Sequence, residues 1–396
     1  MPDMQRDTLQ LVDADGAAAD KSFLDAGNAL YKNDPYFIRP FDHDILEVFD
    51  PKKNKLLRAG ASVKRWVLLD KNGKSIGRIA AFVNSRYLFS GGYKSGGIGF
   101  FECVDDQHAA NKLFDAATEW LRNKGMQAVD GPINLGERDK WWGCLAEGFD
   151  DSPTYRMNYN PPYYNELFTN YGFQTYFDQL VYEYKVDEPV PEKFYERARR
   201  IEANPRYSFD HFRKKRLDQH AKDLADIYNA AWGKHEHFKL MSKEQALKSF
   251  QQMLPVMDEK LIWFGYYDGQ PIAFFIMLPD FNQIVKKLNG KLGWWEKLLF
   301  KMHLMIGSVD RIQGLLFGVV PAHQGKGVEG ATIIAAAKVV QPLKKYKSLE
   351  MTWVGDFNPK MIHMVEGLGA TVTKRYKTYR LMLQPGLEFR RAAVID

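Results

Sequence analysis

The sequence predicts an α/β protein in which one series of strands and helices occurs twice. Two hairpin patterns carry this prediction. Residues 64–84 are typical of a strand, an Asn-Gly turn and a strand, and residues 261–279 of a strand, an Asp-Gly turn and a strand. Ile76 and Ile272 hold matching places in the two hairpins, 196 residues apart. The chain therefore looks duplicated.

After its hairpin, each half alternates strand, helix, strand, helix and strand. In the first half these elements span residues 96–104, 109–125, 126–134, 162–173 and 179–184; in the second they span 311–320, 329–346, 348–358, 359–369 and 375–383. Short apolar runs bounded by turn residues favour the strands, and longer runs with helical periodicity favour the helices. A hairpin followed by a strand–helix–strand unit implies a mixed, mostly antiparallel central sheet in each half, flanked by helices.

The boundary between the halves is predicted within YKVDEPVPEKF, residues 184–194, where two prolines and three acidic residues interrupt the apolar pattern. We expect two domains of ordinary size on either side of it. The N-terminal domain would span residues 1–186 and the C-terminal domain residues 192–396.

Composition places the protein among globular proteins of a reducing compartment. The 396 residues are 45% hydrophobic and 14% aromatic, which is enough to fill two cores. Cys103 and Cys144 have no disulfide or metal-ligand spacing, which indicates a cytoplasmic location. The N-terminus lacks the apolar region of a signal peptide, and no apolar run is long enough to predict a membrane span. A net charge of +6, with scattered basic residues, indicates no nucleic-acid partner.

A glycine-rich turn follows the strand that ends at Val319-Val320. It contains Gln324, Gly325, Lys326 and Gly327 and precedes an Ala/Ile-rich helix. Such a turn directs free backbone N–H groups and the positive end of the helix dipole at one spot, which suits a phosphate. The alternative is a simple strand-to-helix turn, because short glycine motifs are weak signals.

The order of elements and the spacing Gln324-x-x-Gly327 resemble motif A of the GNAT superfamily of acyl-CoA N-acyltransferases. Asn358, followed by an apolar helix and Leu368-Gly369, resembles motif B of that superfamily. The resemblance implies acyl-CoA as co-substrate, no permanently bound cofactor, and a binding role for Asn358. It also implies that the strand residues Gly318, Val319 and Val320 pair with the pantetheine arm, while residues 324–327 hold the pyrophosphate.

Two residues depart from that pattern. Glu329 stands where a small residue is expected, and its charge would lie near the pyrophosphate unless the side chain turns away or pairs with Lys326. Val365 stands where many GNAT enzymes have a tyrosine that protonates the departing thiolate. The matching turn of the first half, VDDQHAANKL, has two aspartates and no glycine. We therefore expect the first half to supply a wall or a substrate pocket and not to bind CoA.

The first half also carries an insertion, residues 135–164, that the second half lacks. Long aromatic and charged insertions in compact domains are often functional. The segments GPINLGERDKWWG, EGFDDSPTYRMNYNPPYY and YGF resemble, in order, motifs of a bacterial double-GNAT family that includes ceramide synthases, and the resemblance extends from about Phe23 to about Leu383. It implies transfer of a long-chain fatty acyl group from a CoA or acyl-carrier-protein thioester to a sphingoid base, 3-oxosphinganine or sphinganine.

Attack of an amine on a thioester needs a base for the ammonium proton, donors for the oxyanion and a proton for the thiolate. The candidate bases are Glu137, Asp139 and Glu147, with Glu137 ranked first because it closely follows a strand end. Tyr163 and Tyr164 are the candidate acids. The N–H groups of the strand near Val319 and Val320 are the candidate oxyanion donors.

Other interpretations of these residues remain open. The aromatic side chains of the insertion could close the domain interface, with its charges in solvent. His235 and His237 form an alternative base pair or metal clamp. One H-x-H pair has too few ligands to predict a metal site, so we expect no metal.

Residues 294–306 predict an amphipathic helix. Apolar side chains fall on two neighbouring faces of this helix, one with Trp294, Leu298, Met302 and Met305 and the other with Trp295, Leu299 and Ile306. The polar and charged side chains lie on another face: Glu296, Lys297, Lys301 and His303. With Lys286, Lys287 and Lys291 upstream, this pattern describes a helix able to lie in a bilayer interface, here the inner face of the cytoplasmic membrane. The alternative is a helix that covers the core.

Two other functions compete with lipid N-acylation. A GNAT acetyltransferase acting on a small or peptidic amine would have a tight loop for acetyl-CoA and no lipid-facing surface. A non-catalytic lipid-binding protein that kept the fold but lost CoA binding would account for Glu329 and Val365.

Overall fold

The computed structural model describes residues 9–84, 89–232 and 240–395. The strands of the described part are β1 (Gln10–Asp13), β2 (Ser62–Leu69), β3 (Ser75–Val83), β4 (Phe89–Ser90), β5 (Tyr93–Cys103), β6 (Ala128–Gly131), β7 (Cys144–Glu147), β8 (Gln174–Lys185), β9 (Tyr207–His211), β10 (Ile262–Tyr267), β11 (Gln270–Pro279), β12 (Arg311–Val319), β13 (Ser348–Gly355) and β14 (Thr371–Met382).

The helices of the described part are α1 (Ala17–Asn28), α2 (Asp42–Phe49), α3 (Lys55–Arg58), α4 (Gln107–Asn123), α5 (Tyr164–Tyr171), α6 (Glu192–Glu202), α7 (Leu217–Trp232), α8 (Lys243–Met253), α9 (Asn282–Val285), α10 (Trp294–Met305), α11 (Val328–Val340) and α12 (Pro359–Gly367). Polar side chains fix several of their N-termini. Asp106 caps α4, and Ser242 with Gln245 forms a capping box on α8.

Both predicted hairpins are confirmed. β2 pairs antiparallel with β3, and β10 with β11. In the second hairpin Asp268 and Gly269 have φ of 47° and 74°, the positive values that a tight two-residue turn between twisted strands requires. Gly73 supplies a positive φ of 74° in the first.

The strands form one continuous sheet in the order β1-β2-β3-β5-β6-β14-β8-β13-β12-β11-β10-β9, with β4 beside β5 and β7 beside β14. Within the described residues only β5–β6 and β12–β13 are parallel pairs. The predicted α/β class with a mixed, mostly antiparallel sheet is confirmed.

The two halves of the sequence exchange their last strands. β8, the last strand of the first half, pairs with β13 of the second, and β14, the last strand of the second half, pairs with β6 of the first. β8 and β14 then pair with each other at the centre of the sheet. The strand order is therefore nearly symmetrical about this central pair, and each half completes the sheet of the other.

Helices cover both faces of the sheet. On β11, Phe274 and Ile276 pack in a core with α7 and α8, whereas Phe275 and Met277 pack in a core with α11. Since successive side chains of a strand point to opposite faces, these cores lie on opposite sides of the sheet. Ile79 and Ala80 of β3 divide in the same way between a core with α4 and a core with α1.

A charge network connects the half-exposed Asp151 of the insertion with largely buried charged residues on strands of the second half. Lys374 Nζ lies 2.7 Å from Glu350 Oε2 and 2.5 Å from Asp151 Oδ2. Arg311 lies 3.0 Å from Asp151 and 2.8 Å from Asp280. Burial alone would lower the pKa of Lys374, but the Glu350 and Asp151 carboxylates raise it overall. The lysine therefore stays charged in the interior.

Cys103 and Cys144 are buried and free. Among the described helices, none combines the length and the apolar character needed to cross a membrane.

Candidate active site

The parallel strands β12 and β13 separate part of the way along their length. They are paired from Arg311 opposite Ser348 to Gly314 opposite Met351, and no partners follow along this ladder. Thr352 Oγ1 donates a 2.6 Å hydrogen bond to the Gly314 carbonyl at the point of separation. Beyond it, the edge of β12 faces an open wedge.

An apolar cavity of about 370 Å³ fills this wedge and continues beneath α11 and α12. Its inner part is lined by Met277, Ile312 and Val340, and its rim includes Arg138 and Trp353. The volume lies in the range of small-molecule sites, and such sites are mostly apolar with a few polar groups. The cavity can therefore hold an extended apolar group that enters along β12.

Val319, the last residue of β12, and Val320, which follows it, have backbone groups that point to opposite sides of the strand. The Val320 N–H donates to the Ile272 carbonyl of β11 over 2.9 Å, so it is not available to an oxyanion. The Val319 carbonyl accepts a 2.8 Å bond from Gln324 Nε2 on the other side. The expected pair of oxyanion donors is thus reduced to Val319, and the Gln324 amide stabilises the loop.

The glycine turn contains two residues in the left-handed backbone region. Gly325 and Gly327 have φ of 70° and 91°, which L side chains rarely adopt, and Gly327 is the N-cap of α11. Glu329 Oε1 accepts a 3.2 Å hydrogen bond from the Gly325 N–H. The Glu329 carboxylate does not form an ion pair with Lys326, and it does not point away from the loop. It accepts from a backbone N–H group that a bound phosphate would also use.

The matching loop of the first half is closed. The Asp106 carboxylate accepts from the N–H groups of His108 and Ala109 at 2.8 and 3.4 Å, so the start of α4 already holds a negative charge. Residues 132–133 pack directly on β5, where a Cβ added at Gly99 would lie 1.9 Å from the Ile133 carbonyl oxygen. No cleft comparable to the cavity beside β12 opens beside this described part of β5.

The candidate bases of the insertion lie around the rim of the cavity and not in it. Glu137 and Asp139 are exposed, on either side of Arg138. Trp353 Nε1 donates to the Arg138 carbonyl over 3.1 Å and holds this loop against β13. Glu147 is exposed and pairs with Arg375 at 3.1 Å. Of the three, Glu137 and Asp139 are next to a rim residue.

The candidate acids lie elsewhere. Tyr163 donates to the Cys103 carbonyl over 2.7 Å, and Tyr164 donates to Glu102 over 2.8 Å. Burial is the main cause that raises the pKa of both tyrosines. The structure therefore places these hydroxyls in the core of the first half, away from the cavity beside β12.

Of the remaining residues considered for the site, some line the cavity and others lie outside the described part of the chain. Asn358 caps α12, accepting from the Met361 N–H over 3.2 Å, and it also lines the cavity. Val365 is buried in the cavity wall. His235 and His237 lie outside the described residues. Within residues 9–84, 89–232 and 240–395, no cluster of His, Cys, Asp or Glu could hold a metal ion.

Neither Thr352 nor Arg138 is among the site residues predicted from the sequence. Thr352 lies inside a predicted strand, and its role depends on where β12 and β13 part, a point that the apolar pattern does not mark. Arg138 was only one of many charged residues of the insertion.

Two proteins are similar to this chain over nearly its whole length. Bacterial ceramide synthase of Caulobacter vibrioides (strain NA1000 / CB15N) is 29% identical over 370 residues, which cover 91% of this chain and 93% of that protein. Protein YghO of Escherichia coli (strain K12) is 26% identical over 371 residues, covering 91% and 92%. No family model matches the chain.

Several solved structures that resemble it are GNAT proteins. A tandem GNAT protein from the clavulanic acid biosynthesis pathway aligns with a TM-score of 0.53 at 11% identity, covering 96% of this chain and 99% of that one. The glucosamine N-acetyltransferase region of a fungal multi-domain β-N-acetylglucosaminidase aligns with a TM-score of 0.55 at 15% identity. It covers 94% of this chain, which spans only 38% of the fungal protein. The fold is therefore a tandem GNAT fold.

Proposed function

We propose that this chain, which is similar over nearly its whole length to a bacterial ceramide synthase and has a tandem GNAT fold, is an acyl-CoA-dependent N-acyltransferase with a specific reaction. It transfers a long-chain fatty acyl group from CoA to the amine of a sphingoid base, 3-oxosphinganine or sphinganine. The donor binds in the C-terminal half, over residues 192–396, and the insertion of the first half borders the acceptor.

The single observation that supports this proposal most is the apolar cavity between β12 and β13. An acetyl group would leave most of its 370 Å³ unused. Each methylene of a longer chain that leaves water for such a cavity contributes about 0.8 kcal/mol. A cavity of this size and character therefore favours a long-chain thioester over acetyl-CoA.

In this arrangement the pantetheine arm runs along Gly318 and Val319, at the free edge of β12. Its pyrophosphate takes the loop N–H groups of Gly325, Lys326 and Gly327 once the Glu329 carboxylate has moved away. Asn358 borders the arm from the start of α12. The Val319 N–H is the proposed donor to the oxyanion.

The amine attacks the thioester carbonyl carbon as a C–N bond forms and the C–S bond breaks. A base must first take a proton from the ammonium, and Glu137 beside the rim residue Arg138 is our proposed base. The departing thiolate takes a proton from solvent or from the protonated base. Val365 cannot supply that proton because its side chain is apolar.

A lipid acceptor also needs a surface from which it can be collected. Helix α10 packs inward through Phe300, whose ring lies 5.7 Å from that of Phe281. Its outer side exposes Trp294 by 68%, Trp295 by 58% and Leu298 by 53%. We propose that this side lies on an anionic bilayer surface.

Charge complementarity supports that occupant. Around the exposed ring pair are lysines that form no ion pair with any described residue: Lys286, Lys287, Lys291, Lys297 and Lys301. Each lysine near an anionic bilayer adds about 1 kcal/mol of attraction. Tryptophans favour the headgroup level, where their rings are apolar and their N–H groups reach water.

The test is transfer by purified protein, with palmitoyl-CoA, palmitoyl acyl carrier protein or acetyl-CoA as donor and sphinganine or 3-oxosphinganine as acceptor. The N-acyl product is read by mass spectrometry. We expect N-palmitoyl product, a large loss of rate in Glu137→Gln, and no loss in the control Glu119→Gln, an exposed residue of α4. Product from acetyl-CoA alone would indicate an acetyltransferase, and no product from any donor would indicate a non-catalytic protein.

A further inference from the structure

The first half contains a second, smaller cavity, distinct from the proposed donor site. It has a volume of about 60 Å³ and lies at the end of β5 against α1, α2 and the insertion. Its lining combines Phe100, Trp141 and Ile45 with the polar residues Arg78 and Glu102. Since one ordered water needs about 10–15 Å³ of such volume, the cavity has room for a small polar group of a few atoms.

The Glu102 carboxylate has one well-satisfied oxygen and one poorly satisfied oxygen. Oε2 accepts from the Tyr31 hydroxyl at 2.6 Å and from the Tyr164 hydroxyl at 2.8 Å. Oε1 accepts only a long 3.4 Å bond from Arg78 Nη2. Burial is the main cause that raises the pKa of Glu102, so a further cationic partner would stabilise its charged form.

Two hydrogen-bond donors of the same lining find no acceptor among the described residues. They are the indole Nε1 of Trp141 and the guanidinium Nε of Arg78. Trp141 is 7% exposed and Arg78 is 5% exposed, so bulk water does not easily replace a missing partner. A buried donor without an acceptor costs about 1–3 kcal/mol, which a ligand oxygen would remove.

These three atoms define the chemistry of a ligand that the cavity suits. One acceptor site, Glu102 Oε1, suits an ammonium, and two donor sites, on Trp141 and Arg78, suit oxygen atoms of the same small group. We infer that this cavity binds the head group of an amino alcohol, with its ammonium on Glu102 and its hydroxyl oxygens on Trp141 Nε1 and Arg78 Nε. This cavity is separate from the proposed donor site, and its residues take no part in the proposed acyl transfer.

Its position separates it from the reaction. β5 and β12 lie five strand spacings apart in the sheet, roughly 24 Å at about 4.8 Å per spacing. An amine held by Glu102 thus cannot reach a thioester at Val319 in the same pose. The cavity is a binding site and not the acceptor's reacting position.

An amino-alcohol group of this kind occurs in two classes of ligand, a free small amino alcohol and the head group of a long-chain base. Phe37, Ile38 and Ile45 line the cavity and could receive the start of an apolar tail. Identification of the ligand as a long-chain base rests on the proposed function, whereas binding of the head group does not.

The experiment is calorimetric titration of the full chain without any acyl donor. The probes are 2-amino-1,3-propanediol, glycerol as its matched uncharged analogue, and sphinganine in detergent micelles. We expect glycerol to bind at least about tenfold more weakly than the amino diol, because it lacks the ammonium. Binding of the amino diol assigns the site to small amino alcohols, and binding of sphinganine alone assigns it to long-chain bases.

Variants then place the ligand. We expect Glu102→Gln to raise the Kd about tenfold or more and Trp141→Phe to raise it severalfold, with Glu119→Gln unchanged. If Glu102→Gln does not fold, Trp141→Phe and the glycerol comparison decide. Equal binding of glycerol and the amino diol, no binding of any amine, or binding unaffected by a folded Glu102→Gln would overturn the inference. If the protein transfers acyl groups but binds no amine in this cavity, only this inference is contradicted. If it binds the amine here but transfers no acyl group, only the proposed function is contradicted.

Discussion

The Glu329 carboxylate accepts a 3.2 Å hydrogen bond from the backbone N–H of Gly325, within the loop proposed to hold the donor's pyrophosphate. A side chain of the protein therefore occupies an N–H group that the proposed pyrophosphate site would use. Since both groups are negative and the loop is exposed, pyrophosphate binding must displace the carboxylate against a modest repulsion.

Removing that charge is predicted to tighten donor binding. In Glu329→Gln the KM for palmitoyl-CoA should fall about threefold to tenfold, while kcat stays nearly constant. The reason is that the substitution strengthens pyrophosphate binding equally in the ground state and in the transition state. Steady-state kinetics measure both values. The control Glu196→Gln, an exposed position on the neighbouring helix α6, should leave KM within about twofold, and an unchanged or higher KM in Glu329→Gln would argue against a phosphate at this loop.

Filling the cavity beside β12 should change chain-length preference. In Ala337→Phe a ring projects from α11 into space that we assign to the acyl chain. Displacement of about four methylenes at about 0.8 kcal/mol each predicts a loss of roughly 100-fold in kcat/KM for palmitoyl-CoA. Octanoyl-CoA should lose less than about threefold.

The matched control at this position is Ala337→Ser, which adds one small atom and should keep palmitoyl transfer. Kinetics with acyl-CoAs of 8 to 16 carbons check the prediction. Equal losses for short and long chains would contradict the assignment of the chain to this cavity.

The buried ion pair between Glu350 of β13 and Lys374 of β14 should contribute much to the stability. Lys374→Met leaves Glu350, 2% exposed, without its 2.7 Å partner. Breaking such a buried pair costs about 3–5 kcal/mol. Urea unfolding measures the loss, and the exposed pair Lys347–Asp310, removed by Lys347→Met, should cost at most about 1 kcal/mol. Similar costs for the two variants would show that the buried pair has no special role.

The exposed side of α10 should bind anionic vesicles. The double change Trp294→Ser and Trp295→Ser removes two stacked rings, 4.1 Å apart, from the surface and is predicted to weaken co-sedimentation about tenfold or more. Leu240→Ser alters another exposed apolar residue, 61% exposed, and should have no effect. Equal retention of all three proteins on vesicles would contradict the membrane proposal.

Much of the fold follows from local patterns. The two hairpins could be predicted because Asn-Gly and Asp-Gly turns separate apolar strands, and the glycine turn because strand, glycines and helix follow one another. The exchange of β8 and β14 could not, since each strand has the same apolar pattern whichever half it joins. Pairing partners of central strands depend on contacts across the chain that periodicity does not encode.

The site was predictable to a smaller extent. The motifs predict a donor site at residues 318–327, and a cavity lies beside β12, the strand that contains Gly318 and Val319. The direction of the Val320 N–H depends on a bulge at Leu315, which no residue type signals. Glu102 was not singled out at all, because its partners Tyr31, Arg78 and Tyr164 lie 71, 24 and 62 residues away.

We propose that the acyl chain occupies the cavity between β12 and β13, and labelling with a photoreactive donor would locate the chain. The protein would be irradiated with a palmitoyl-CoA analogue that carries a diazirine at the far end of its chain, and the labelled peptides would be read by mass spectrometry. We expect labels on the inner lining, at Met277, Ile312 or Val340, which palmitoyl-CoA prevents by competition and which are lost in Ala337→Phe. Competed labels confined to the first half or to α10 would contradict it.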